Sequence, residues 1–148
     1  MSGFILDTSV VLKWFSNFGE NDLDQALVLR AALTDGTVLF TVPELLFYEL
    51  SNALRYNSNF SLEDVQEALD SVLEMGMDVI SVDRSVMAKA ISIAFKYDVT
   101  VYDAYFLALS WREKKPLIVA DYRFAKKVSG FSGILRLSDI TPETLRRR

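Results

Sequence analysis

The side chains able to do chemistry in this 148-residue chain are carboxylates, hydroxyls, amines, guanidinia and phenols, because it has neither cysteine nor histidine. The missing cysteines exclude disulfides, thiolate zinc sites and thiol catalysis. The missing histidines exclude Ser-His-Asp triads, histidine-assisted phosphoryl transfer and the usual zinc hydrolase centres. Reactive groups must then be carboxylates, hydroxyls, Lys, Arg or Tyr, and the natural companion of carboxylates is a hard cation such as Mg²⁺ or Mn²⁺. Four acids stand out. Asp7 closes the apolar run Phe4-Ile5-Leu6, and Asp121 closes Leu117-Ile118-Val119-Ala120; both positions suit a plain helix N-cap equally well. Glu49 falls at helical spacing from Leu46, Leu50 and Ala53, on or beside an apolar face where an unpaired carboxylate is costly. A boundary position, or a surface ion pair with a residue such as Arg55, would also accommodate it. Asp103 follows Thr100 by three residues, a spacing that also fits a capping box.

The elements that must position these acids alternate between strand and helix. Residues 3–7 read as a buried strand followed by a short helix to about 16. Residues 21–33 are helical, ended by Gly36, and 37–42 form a second strand. Pro43 is expected to open a helix over 43–57, in the first turn where proline is tolerated best. Ser61 with Glu63 and Asp64 marks a helix start that runs to about 75, and 78–82 is a short strand. Asp83 caps a helix to about 97, another spans 102–114, and Pro116 separates it from a strand at 117–120. A short helix at 122–128, a strand within 133–137 and a helical turn at 142–147 complete the chain. This order predicts an α/β fold in one domain, residues 1–148, with a mainly parallel sheet of about five strands between helices. Ligands of such sheets bind beyond the C-terminal ends of the strands. If the first and fourth strands are neighbours, Asp7 and Asp121 come within reach of one ion.

Composition allows this. Hydrophobic residues make up 51% of the chain, enough for a core. No apolar run approaches the ~20 residues of a membrane span, and the N-terminus lacks the basic segment of a signal peptide; a soluble, cytoplasmic protein is expected. The net charge of −4 argues against a general nucleic-acid coat protein, yet four acids in one site would account for it.

Four segments together carry a family resemblance: Phe4-Ile5-Leu6-Asp7-Thr8-Ser9-Val10, Val42-Pro43-Glu44-Leu45 with Glu49-Leu50-Ser51-Asn52-Ala53-Leu54, Val101-Tyr102-Asp103-Ala104, and Pro116-Leu117-Ile118-Val119-Ala120-Asp121. In this order and spacing the chain resembles a PIN domain over essentially its full length, of the kind found in VapC toxins. The resemblance implies a three-layer α/β/α fold and a Mg²⁺-dependent endoribonuclease, with Mn²⁺ as a substitute. It implies that Asp7, Glu49, Asp103 and Asp121 are the catalytic, metal-binding acids and that Ser9 supports them by hydrogen bonding. It also implies attack by activated water, leaving 5′-phosphate and 3′-hydroxyl ends, and two protein partners: a second copy, joined through helices near the start of the chain, and a small antitoxin. One position departs from the pattern. Relatives often read Thr-Ala-Asp where this chain has Val119-Ala120-Asp121, so a hydroxyl is missing.

RNA also needs cations. Among Lys13, Arg112, Lys114, Lys115, Arg123, Lys126 and Lys127, the residues Lys13 and Arg123 follow the acidic segments and are the best placed for phosphate. Arg146-Arg147-Arg148 form a basic tail, and Trp14, Phe15 and Phe18 are available for stacking on bases or for packing. Two other enzyme-like readings weigh against this one. A haloacid-dehalogenase-like phosphatase needs a second Asp two residues after Asp7, where this chain has Ser9. A receiver-like domain has no use for Glu49 within a helix. A non-catalytic interaction domain on the PIN scaffold is the third alternative, and it has no reason to retain all four acids.

Overall fold

Strand-forming runs and capped helices follow each other from the first residues. A computed structural model describes residues 2–16 and 21–146. Its strands are β1 (Ser2–Leu6), β2 (Val38–Pro43), β3 (Asp78–Ile80), β4 (Leu117–Val119) and β5 (Ile134–Arg136). Its helices are α1 (Thr8–Leu12), α2 (Leu23–Thr34), α3 (Leu45–Arg55), α4 (Leu62–Leu73), α5 (Arg84–Tyr97), α6 (Val101–Glu113), α7 (Tyr122–Lys127) and α8 (Pro142–Arg146).

The caps explain where most helices start. Ser61 and Asp64 form a full capping box on α4, and the Asp83 carboxylate accepts from Val86 N on α5. Gly36, at φ 72°, stops the chain after α2 in a conformation that glycine adopts without strain. One expected start is corrected. Pro43 does not open α3; it ends β2, opposite Ile80 of β3, and Glu44 precedes the helix. The reason is the ladder. Pairing of β1 with β2 stops at Ile5 and Thr41, so Pro43 lies past the point where a donor towards β1 is needed.

The five strands lie in the order β3-β2-β1-β4-β5, every pairing parallel. The chain therefore leaves β1 towards one side and returns to its other side at β4, which makes their C-terminal ends a topological switch point. Helices flank the sheet. Phe4, Ile5, Leu6, Phe40, Ile118 and Val119 are fully buried between the layers. Helix α6 is buried continuously from Ala104 to Ser110, which marks it as a central helix against the sheet. Among the described residues no helix is long and apolar enough to cross a membrane.

Candidate active site

The four acids enter from four elements: Asp7 from the end of β1, Glu49 from α3, Asp103 from the first turn of α6 and Asp121 from the turn after β4. Asp7 sits at the switch point, with its backbone N–H donating to Ile118 O of β4 at 3.0 Å. Its carboxylate accepts from Ser9 N at 3.1 Å and from Ser9 Oγ at 2.5 Å. Ser9 Oγ in turn accepts from Ala120 N at 3.0 Å. A single hydroxyl thus ties the acid after β1 to the chain entering Asp121. Thr8 Oγ1 donates to Glu49 Oε1 at 2.7 Å, which orients the α3 acid towards α1. Thr100 Oγ1 caps Asp103 N at 3.1 Å, and Asp121 Oδ1 caps Phe124 N at 3.1 Å. The capping roles and the clustering are therefore compatible: a carboxylate has lone pairs left after one cap bond.

The electrostatics of the cluster are unbalanced. Asp7 is only 6% exposed, and burial pushes its carboxyl from 3.8 up to about 7, against the lowering effect of Ser9 and with repulsion from Asp103 and Glu49 adding to the rise. Burial also raises Glu49, opposed by the Thr8 bond and reinforced by Asp103. Asp103 is raised by burial and then by the charge of Asp121. Repulsion therefore links all four acids in one chain of neighbours. Among the described residues none of them forms an ion pair, so the surface pair of Glu49 with Arg55 is not formed. No group of three or more acids among the described residues is drawn in tightly enough to be a ready-made ion site. The donor set is nonetheless all oxygen and short of positive charge, which fits a hard cation such as Mg²⁺.

The cations sort by sheet end. Lys114 and Lys115 precede β4 and lie at its N-terminal end, away from Asp121. The Lys115 stem runs over Gly3, where a Cβ would meet Lys115 Cε at 3.1 Å, and its ammonium donates to buried Thr41 at 3.1 Å. Arg112 is held by Asp83 and Glu113. Lys13 Nζ donates to Asn21 O at 2.8 Å. Arg123 and Lys127 line a cavity together with Asp103 and Asp121. Trp14 is buried, with Nε1 donating to Ala26 O at 2.9 Å, so it packs in the core and presents no face to a base. Phe15 packs partly buried against that core, and Arg146 pairs with Glu143. Phe18, Arg147 and Arg148 lie outside the described residues.

The PIN-domain family model matches residues 4–129. The chain belongs to the PIN-domain family. This assignment displaces the phosphatase-like and receiver-like readings of the β1–Asp7 motif. The PIN chain also resembles solved structures across most of its length. One is a toxin–antitoxin complex from Klebsiella pneumoniae (16% identity, TM-score 0.66, covering 93% of this chain and 99% of that one). Another is the sarcin–ricin loop cleaving toxin VapC20 from Mycobacterium tuberculosis (16%, TM-score 0.69, 88% and 97%). A third is VapBC-1 from nontypeable Haemophilus influenzae (10%, TM-score 0.66, 93% and 99%). At these identities the likeness speaks for the fold. No curated protein sequence gives a match.

Thr8 has no assigned role in the sequence, although a hydroxyl directly after a strand-end acid is a signal for one. Lys127 is among the candidate RNA contacts in the sequence, behind Lys13 and Arg123. Ser9 yields a direct prediction. Ser9→Ala strands Ala120 N–H and removes a charged hydrogen bond from Asp7, so it lowers unfolding free energy by about 1–3 kcal/mol. Urea denaturation measures this; an unchanged midpoint would show that the Ser9 bridge contributes nothing.

Proposed function

We propose that this PIN domain is an endoribonuclease of the VapC toxin kind, hydrolysing RNA phosphodiester bonds with Mg²⁺, or Mn²⁺ in its place, held by Asp7, Glu49, Asp103 and Asp121. The observation that carries the reading is the Asp7 carboxyl, buried at the β1/β4 switch point, raised to about 7 and surrounded by acids with no cation among the described residues to balance it. Structural economy does not account for such a group, because an apolar residue there would cost less. A divalent cation held by these acids would supply an activated water and offset charge on the phosphate. The chain's own residues do the rest. Ser9 fixes one Asp7 oxygen and leaves the other free, Thr8 holds Glu49, and the Thr100 cap sets the first turn of α6 that presents Asp103.

Exposed apolar side chains on the early helices, Leu27 on α2, Tyr48 on α3 and Leu62 and Leu73 on α4, support protein contacts there. A homodimer and a small antitoxin are the partners assigned to that surface, in a cytoplasmic protein. The purified chain with single-stranded RNA and Mg²⁺ or Mn²⁺ is expected to yield fragments ending in 5′-phosphate and 3′-hydroxyl. Cyclic phosphate ends, cleavage that persists in EDTA, or no cleavage with either ion would overturn the reading; the last result is the one expected of a non-catalytic PIN scaffold.

A further inference from the structure

We propose that the cavity between the first turn of α6 and α7 is a phosphate subsite for the RNA strand, with Arg123 and Lys127 as its cationic contacts. This rests on the ribonuclease reading above and adds where the strand lies beside the acids. The cavity has a volume of about 330 Å³ and is lined by both signs of charge: Asp103 and Asp121, then Arg123 and Lys127. Arg123 and Lys127 are four residues apart on α7, so they leave the same helix face.

Opposite charges sharing a cavity normally collapse into ion pairs. Here Arg123 is exposed and forms no hydrogen bond or ion pair with any described residue. Its planar fork is left open for a phosphate, whose geometry it matches with two parallel bonds. Lys127 is held in place from behind. Its ammonium donates to Asp98 O at 2.8 Å, with the Asp98 carboxylate at 3.9 Å, and an ammonium has three donors. Donors therefore remain for an anion in the cavity. Three of the other candidate cations are less suited to this task. Lys114 and Lys115 stand at the opposite end of β4, and Arg112 is engaged by two carboxylates. Within this cavity the two α7 cations are the groups that offset the repulsion a phosphate meets from Asp103 and Asp121.

The test is binding of a fluorescein-labelled oligouridylate to the Asp7→Asn protein over a series of KCl concentrations. Each neutralised phosphate of a single strand contributes about 0.7 to the slope of log association constant against log salt. Arg123→Gln and Lys127→Gln are each expected to flatten the slope by about 0.7, and the double variant by about twice that. Lys127→Arg, which keeps the charge, and Lys114→Gln, at the far end of the sheet, retain the parent slope. An unaltered slope in Arg123→Gln and Lys127→Gln, or an equal flattening in Lys114→Gln or Lys127→Arg, overturns the subsite. A parent protein that binds no RNA even at low salt removes the subsite and the ribonuclease reading together. Binding whose salt dependence ignores both α7 cations removes the subsite alone.

Discussion

Asp7→Asn is expected to lower RNA cleavage by roughly 10²–10⁴-fold while leaving a folded protein. On the proposed function Asp7 holds the metal, and losing it forfeits several kcal/mol of transition-state stabilisation, each 1.36 kcal/mol being tenfold in rate. The fold survives because Asn caps a helix about as well as Asp and accepts the same Ser9 N–H bond. In metal-free buffer the variant is the more stable of the two, because a buried carboxylate has been exchanged for a neutral amide. Cleavage of a labelled RNA measures the first effect, and urea denaturation in EDTA the second. Glu63→Gln, on an exposed first turn of α4, serves as the control and leaves both unchanged. Full activity in Asp7→Asn would move the chemistry away from the β1/β4 switch point altogether.

The metal-free protein is also expected to lose stability as pH rises from about 4 to about 7. The Asp7 carboxyl titrates near 3.8 in the unfolded chain and at about 7 in the folded one. Between those values the folded state holds a proton that the unfolded state has released, so deprotonation favours unfolding. The loss from Asp7 reaches up to ~4 kcal/mol by neutral pH and levels off above it. Glu49 and Asp103 are raised by burial as well and add to the same slope. Asp83 works in the opposite sense. Its bonds from Ser85 and from Val86 N hold it below its ordinary value, so the stability it contributes is lost only under more acidic conditions. Unfolding free energies at pH 5 and pH 8 in EDTA measure the slope. Saturating Mg²⁺ or Mn²⁺ at pH 8 reverses the loss by neutralising the cluster, and Asp7→Asn flattens most of it. A stability that is level across this range, or indifferent to both ions, would remove the strained acid on which the reading depends.

Local pattern determined a great deal about this protein. Period-two and period-3.6 spacing, Ser61 with Asp64, Asp83, Thr100 and Pro116 carry their information within a few residues, and the strands and helices fall close to where those signals lie. The same locality explains the misreading of Pro43: a proline ahead of a helix has the same local signature whether it closes a strand or opens the helix. The missing cysteines and histidines exclude thiol and imidazole chemistry without any geometry. Tertiary structure alone decided the rest. That β1 lies beside β4 follows from sheet order, and only this adjacency lets Ser9 bridge Asp7 to Ala120 across 111 positions of sequence. The bond from Thr8 to Glu49 spans 41. Burial of Asp7, the engagement of Arg112 and Lys115 and the open guanidinium of Arg123 depend on which surfaces the packed layers cover. Sequence fixes the preferences of neighbouring residues, whereas the proton affinity of an acid is set by all the charges and solvent around it, most of which arrive from distant parts of the chain.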